Sequence, residues 1–484
     1  MAERFDVVVI GAGPGGFRAA RRCAQRGAST AIVEKEFVGG TCLNWGCIPS
    51  KTLLASAHLL LRARHAGEMG IDIPSATPNW AKIQQRREAI ITGIRKGMQG
   101  TMKANKMTHI EGRAVVTAPG RIRVVCSVPV RASVETQDFA SLHGVTTNIR
   151  ELEAGKIILA TGSESIELRS IPFDGQTIIS SKEALSLPQL PKSMLIVGGG
   201  VIGCEMACAY AAFGTKVTIV EALERLLPME DSWISRILER EFKSLGIDAV
   251  TGRKVMSVDC RDAKSCVSSP ARVSLDNGQT IDAEKVLVAV GRRATVDKET
   301  VEALKLEMNG PMIKVNRKLE TNVPGVYALG DAVGTTYLAH GATAEAEVAA
   351  ANATGNNEEM QDYALIPRVV FTFPEVASVG KTEEKCQAAG MDIAVGKGFY
   401  RANGRCLAEN ETNGQFHAVR DKAINELVGI SMVGHMATEF AAFARTLIGT
   451  CEPIRRITFP HPTISETLED ALHEALGELL LEEC

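Results

Sequence analysis

Residues 5–10, FDVVVI, form a β-branched run without polar alternation. Such a run predicts a short strand buried on both faces, as in a parallel sheet. Gly11, Gly13 and Gly16 follow, then the helix-like RAARRCAQRG and a second apolar strand, TAIVE, ending at Glu34. The same series returns at residues 194–197, MLIV, with Gly198, Gly200 and Gly203, a helix through Tyr210 and Phe213, and KVTIVE ending at Glu221. In both copies the acid lies 23 residues after the first glycine (34 − 11 and 221 − 198), and the copies are offset by 187 residues (198 − 11). Elsewhere, residues 51–105 carry helical i, i+3, i+4 spacing and 106–165 read as short strands. Residues 231–245 read as an amphipathic helix, and 281–293, IDAEKVLVAVGRR, as one buried strand running into a turn. TNVPGVYALGD at 321–331 reads as turn, strand and Gly-Asp end, and AHGATAEAEVAAANA as a small-residue helix. After about residue 357 strands and helices alternate without glycine fingerprints, and Gly355, Asn356 and Asn357 mark a boundary.

The repeated series is the βαβ dinucleotide fingerprint. Its first glycine permits a tight turn, its second lets a pyrophosphate approach the backbone, and its third lets helix and strand pack closely. The helix N-terminus offers free N–H groups and a positive dipole end to phosphate. The acid closing the second strand accepts hydrogen bonds from ribose hydroxyls. Glu34 and Glu221 both favour a free 2′-hydroxyl over a 2′-phosphate, and the first cation after Glu221 is Arg225. The second site is therefore expected to take NAD rather than NADP.

Composition narrows the field. The chain has 484 residues, 45% hydrophobic and 23% charged, with net charge −3. This is globular usage, and it leaves no basic excess for nucleic acid. No apolar stretch is long enough for a membrane span. The apolar run after MAER is too short for a signal-peptide core, so the expectation is a cytoplasmic protein in a reducing compartment. None of the 12 cysteines forms a Cys-x-x-Cys pair, and no metal site is read from the sequence.

Cys42 and Cys47, in GGTCLNWGCIPSK, sit at the start of an expected helix. On an ideal helix this spacing separates the Cα atoms by roughly 8–9 Å, whereas a disulfide needs about 4.4–6.8 Å. Either the pair is two buried thiols, or the first turn is distorted. Gly46 and Pro49 permit such a distortion, and a strained bridge at a helix start would be easily reduced.

GGTCLNWGCIPSK resembles the active-site signature of the pyridine nucleotide–disulfide oxidoreductases. With Leu43, Ile48 and Ser50 it is closer to the dihydrolipoamide dehydrogenase branch than to glutathione or mercuric reductases. The resemblance continues through ILATGS (158–163), VLVAVGR (286–292), TNVPGVYALGD, FTFPEVASVG (371–380) and HPTISE (461–466), in order across nearly the whole chain. The fold it implies is α/β, with two Rossmann-like dinucleotide-binding domains and a C-terminal α+β dimerisation domain. The expected segments are 1–168 and 294–356 for FAD, 169–293 for NAD, and 357–484 for the dimer interface.

The resemblance also implies roles. Gly11, Gly13, Gly16, Glu34, Thr161, Gly162 and Asp331 would hold FAD; Gly198, Gly200, Gly203, Glu221 and Gly291 would hold NAD. Lys51, paired with Glu205, would stand beside the flavin's reactive edge. Cys47 would lie nearest the flavin, and Cys42 would meet the substrate. His461, oriented by Glu466, would be the base, supplied by the partner subunit of a homodimer. The implied reaction is reoxidation of dihydrolipoamide, borne by a protein of a 2-oxoacid dehydrogenase or glycine cleavage complex, with reduction of NAD. Two other readings are a reductase of a different disulfide, such as a glutathione-type peptide, and a flavoprotein serving chiefly as a structural subunit. The chain departs from the family at Pro460, where a small residue is commoner, and in the long polar stretch 126–150. Cys204 and Cys208 read as packing residues, and Cys484 lacks an adjacent cysteine.

Overall fold

β-Branched and small residues dictate the two nucleotide sheets of the computed structural model, which describes residues 2–128, 146–260, 270–449 and 456–477. The described residues form two units. The first comprises the segment up to Ile48, Glu88–Glu164 and Arg292–Gln361; the second comprises Pro49–Arg87, Ser165–Gly291 and the chain from Asp362.

In the first unit, β1 (Glu3–Ile10) pairs in parallel with β2 (Thr30–Glu34) and with the strand Thr146–Leu159. Val7, Val8, Val9 and Ile10 are buried, as expected for a strand covered on both faces. The sheet continues through Thr108–Glu111 beside β2, through Val326–Ala328 beside Thr146–Leu159, and through the antiparallel strands Arg121–Val128 and Arg113–Ala118. Between β1 and β2 lies α1 (Pro14–Gln25), with Pro at its first turn. Its buried face is Gly15, Gly16, Ala19, Ala20 and Cys23. Only small residues there admit the helix Ala339–Ala353, since a Cβ on Gly15 would lie 3.1 Å from Ala342 Cβ. Arg18 and Arg22 of α1 close the pair on Glu347. The segment 126–150 is in part a hairpin: Val128 pairs with Thr146, and its tip lies outside the described residues. Cys484 also lies outside them.

After the short helix α2 (Gly40–Trp45), α3 spans Cys47–Arg64. The sequence read 51–105 as helical; α3 and the helix Trp80–Ala104 are separated by a single 3-10 turn and extended chain.

The second unit repeats the βαβ series as β3 (Ser193–Val197), α4 (Val201–Ala212) and β4 (Lys216–Val220). Its five-stranded parallel sheet runs Ile247–Val250, β4, β3, Lys285–Val288, Ile178–Ile179. The expected single strand at 281–293 is divided into two strands, with a third, Arg292–Ala294, opening at its end. Thr280–Ala283 belongs to an antiparallel meander and Lys285–Val288 to the parallel sheet. Glu284 divides them: its N–H donates to Ser193 Oγ, and its carboxylate accepts from Lys192 N–H. The amphipathic helix is present as Ser232–Ser244, burying Ile234, Leu238 and Phe242.

Beyond residue 361 a five-stranded antiparallel sheet runs Arg368–Val370, Glu375–Gly380, Glu426–Gly434, Gln415–Asp421, Ile393–Phe399. The helix α5 (Glu466–Leu476) lies directly on its last strand. Gly396 and Gly398 allow this, because a Cβ at either would meet helix carbonyls of Ala471 or Thr467 at 2.0 Å or less. That packing fixes the start of α5 at Glu466, five residues after His461.

Candidate functional site

The two fingerprints fold into matching cradles, one in each unit. Gly11 (φ +105°) and Gly198 (φ +108°) take the left-handed conformation that the turn requires. Gly16 and Gly203 allow the close approach of helix to strand: a Cβ would sit 2.0 Å from Gly11 O or Gly198 O. Gly13 and Gly200 start the two helices with no side-chain cap, and a Cβ on either would point into open space. Helix geometry leaves the first N–H groups of each helix without intrahelical partners, beside open space where backbone can meet phosphate.

The closing acids repeat one arrangement. Glu34 accepts from Ala12 N–H at 2.7 Å and Glu36 N–H at 2.9 Å. Glu221 accepts from Gly199 N–H at 2.6 Å and Leu223 N–H at 2.8 Å. Sequence reasoning assigned these acids to ribose hydroxyls alone. In the fold each first anchors its own glycine turn, and the remaining oxygen lone pairs are left for a ligand. Arg225 is engaged elsewhere, on Glu384 at 2.7 Å and the Glu230 carbonyl at 3.0 Å. Arg253, whose backbone N–H donates to the Glu221 carbonyl at 3.0 Å, donates from its guanidinium to the Gly252 carbonyl at 3.1 Å. With Glu221 anchoring the turn and Arg225 engaged on Glu384, the second cradle suits NAD.

In the first unit, Thr161 Oγ1 is buried and finds no hydrogen-bond partner among the described residues. Gly162 adopts φ +74° with open space at its Cβ position. Asp331 accepts from Ser163 Oγ. Arg292 donates to Ser163 Oγ at 2.7 Å and Ser163 O at 2.8 Å, and lies 3.7 Å from Asp331. The orphaned hydroxyl, the open glycine and the charged end at Asp331 fit FAD. Sequence reasoning missed the Arg292 and Ser163 brace; Arg292 ends the VLVAVGR motif, which was the available signal. Gly291, just before it, adopts φ +134° and its carbonyl accepts from Ile166 N–H in the second unit.

Cys42 lies in α2 and Cys47 begins α3, so the helix is interrupted between them at Gly46. The break brings the chain back on itself: a Cβ on Gly46 would lie 3.3 Å from Cys42 Cα and 3.0 Å from Thr41 O. Both cysteines are half-buried. Four residues into α3, in the second unit, Lys51 Nζ donates to both carboxylate oxygens of buried Glu205, at 2.8 and 2.7 Å. It also stands 4.4 Å from the centre of the Phe371 ring, and Phe371 N–H donates to Glu205 at 3.0 Å. Such a bidentate, hydrogen-bonded pair fixes the ammonium in one place. Cys204 and Cys208, flanking Glu205 in the chain, are buried, and burial pushes both thiols upward. They pack as expected and are poor nucleophiles.

His461 Nδ1 lies 2.8 Å from Glu466 Oε1, while Glu466 Oε2 accepts from Thr463 N–H at 2.8 Å. The Thr463 N–H and the His461 ring hold the Glu466 carboxyl below the usual carboxylate range. Pro460 contributes its carbonyl to Thr463 Oγ1 at 2.7 Å, bracing the same turn. The imidazole is 80% exposed, with Nε2 left for a proton.

Comparison with known proteins agrees with this geometry. The family described as pyridine nucleotide-disulphide oxidoreductase matches residues 5–346, and its dimerisation domain matches residues 366–472. A dihydrolipoyl dehydrogenase of Rhizobium etli is 38% identical over 491 aligned residues, covering 99% of this chain and 100% of that protein. One from Bacillus subtilis is 34% identical, covering 98% and 99%. Among solved structures, LpdA from Mycobacterium tuberculosis superposes with a TM-score of 0.85 at 23% identity, covering 98% and 99% of the two chains. The HOCl-induced flavoprotein disulfide reductase RclA from Escherichia coli gives 0.81 at 25% identity, covering 96% and 99%.

Proposed function

The chain belongs to the pyridine nucleotide-disulphide oxidoreductase family, and from that premise we propose that it oxidises dihydrolipoamide to lipoamide with reduction of NAD. The observation that supports this reading is the helix break at Gly46, which separates Cys42 in α2 from Cys47 at the head of α3 and so removes the straight-helix spacing that would keep an i, i+5 cysteine pair apart. The alternatives lose ground on two counts. Glu221 and the engaged Arg225 disfavour the NADPH of glutathione-type reductases. A purely structural subunit has no use for Lys51 bound to Glu205 or His461 bound to Glu466.

His461 takes the proton from one substrate thiol, and Glu466 steadies the imidazolium that forms. The substrate thiolate attacks Cys42 Sγ; the Cys42–Cys47 bond breaks, and its electron pair leaves on Cys47. The second substrate thiol then displaces Cys42 from the mixed disulfide, closing lipoamide and leaving two reduced cysteines. Gly11, Gly13, Gly16, Glu34, Thr161, Gly162 and Asp331 would hold FAD, and Gly198, Gly200, Gly203, Glu221 and Gly291 would hold NAD; bound there, the flavin would supply two-electron redox chemistry between the reduced cysteines and the nicotinamide. Lys51 keeps a fixed positive charge for that chemistry, with Glu205 preventing its displacement.

The working molecule in this reading is a homodimer, each His461 serving the Cys42 of the other copy. The high exposure of the imidazole and the dimerisation-domain match support this. The dithiol arrives on a lipoyl-bearing protein of a 2-oxoacid dehydrogenase or glycine cleavage complex. Among the described residues no helix is long and apolar enough to cross a membrane, and we place the protein in the cytoplasm. We keep the division 1–168, 169–293, 294–356 and 357–484; the sheet shared by Val326–Ala328 and Thr146–Leu159 supports a first domain built from two segments.

Turnover of the FAD-bound protein with dihydrolipoamide and NAD, beside oxidised glutathione and NADPH, tests the proposal. Activity in the first pair alone is expected. Activity in the second alone would overturn the substrate and cofactor assignment.

A further inference from the structure

Away from the cysteines and cradles, three side chains from distant parts of the second unit converge. His58 comes from α3, Glu411 follows the helix Gly404–Ala408, and His435 follows the strand Glu426–Gly434. One donor atom from each lies within 4.8 Å of the other two, and all three residues are half-buried. His58 Nε2 and Glu411 Oε1 are 3.9 Å apart, beyond a hydrogen bond. Two ligands of one tetrahedral zinc, each at about 2.0–2.1 Å from the metal, stand about 3.3 Å from each other. A small inward rotation of side chains therefore closes the site.

The donors are held rather than free. The His58 ring stacks on Phe373, at 5.3 Å between centres and 23° between planes, and its centre is 5.6 Å from that of His435. The His435 carbonyl accepts from the buried Tyr400 hydroxyl at 2.8 Å. The turn carrying Glu411 is pinned on both sides: Asn410 Nδ2 donates to Glu68 at 2.6 Å, and Glu411 N–H donates to the Cys406 carbonyl at 2.9 Å. Two imidazoles and one carboxylate select borderline divalent ions such as zinc over calcium or magnesium, which prefer all-oxygen shells.

We propose that His58, Glu411 and His435 form a binding site for a divalent transition-metal ion, zinc by preference, with water completing the shell. The site is separate from the redox cysteines and independent of the substrate assignment. An ion there ties α3 to two loops of the C-terminal region.

Equilibrium dialysis of the chelator-treated, FAD-bound, oxidised protein against zinc chloride, followed by metal analysis, tests it. The expected result is about one zinc per chain, with affinity falling at least tenfold in Glu411→Gln and His435→Gln and unchanged in Cys42→Ser. Undiminished binding in the first two variants, loss of zinc in Cys42→Ser, or no stoichiometric binding would overturn the proposal. Cobalt in the unaltered protein gives a second reading that needs no variant. Visible d–d bands without a thiolate charge-transfer band support the site; a thiolate band places the metal on cysteine instead.

Discussion

Lys51 and Glu205 form the one charged pair in the proposed catalytic set with a buried carboxylate. Lys51→Met leaves Glu205 buried with the Phe371 N–H as its remaining named donor. Removing one partner of a buried pair costs several kcal/mol, and with Lys51 one-third exposed we expect about 2–3 kcal/mol. Denaturant midpoints check this, and Lys51→Met with Glu205→Met is expected to recover part of the loss. His417 makes a pH prediction. Its ring stacks on Trp233 at 3.9 Å, and burial, with Lys397 adding to it, pushes the imidazole down to about 3. The unfolded chain takes up this proton near pH 6.5; the folded chain does not until about pH 3. This contribution is complete above about pH 6.5 and is lost as pH falls toward 3, by at most about 1.4 kcal/mol per unit. His417→Asn is expected to flatten stability against pH in that window.

Gly16 and Gly203 are the points where helix and strand touch, and they offer a matched test. A Cβ at either position lies 2.0 Å from a carbonyl oxygen that cannot move without opening the turn. Gly203→Ala is expected to keep its yellow flavin and weaken NAD binding at least tenfold, whereas Gly16→Ala is expected to emerge colourless. Flavin absorbance and NAD titration separate the two results. These turns were the most legible part of the sequence, because strand, glycines, helix and acid lie within 30 residues (5–34 and 194–221) and the physics is local. The break at Gly46 was legible as a requirement: the cysteine spacing cannot bridge on a straight helix. The two strands within 281–293 were not, since a short apolar run does not say which sheet it enters. Nor was the brace of Arg292, Ser163 and Asp331, or the cluster of His58, Glu411 and His435. Their members lie up to hundreds of residues apart, and only the fold brings them together. Lys51 and Glu205 were paired through family resemblance, because a separation of 154 residues carries no spacing signal of its own.

The assembled molecule makes the dimer proposal testable by mixing. Cys42→Ser and His461→Gln chains are each expected to be inactive in dithiol turnover. If each base serves the other copy, a dimer containing one of each keeps one intact pair. Random reassortment by mild denaturation and renaturation then recovers about a quarter of the unaltered activity. Recovery near zero, with mixed dimers present by mass spectrometry, would place base and cysteine on the same chain.

The repetition of one cradle in two units has a further consequence for electron flow. Each cradle has its own sheet, its own third glycine and its own anchoring acid, Glu34 or Glu221. The inlet and outlet of the circuit can therefore be cut separately. On the proposed function, a chain whose second cradle is narrowed by an added methyl is expected to behave as a half-cell. It accepts one pair of electrons from a dithiol, then holds the charge until an external oxidant draws it off.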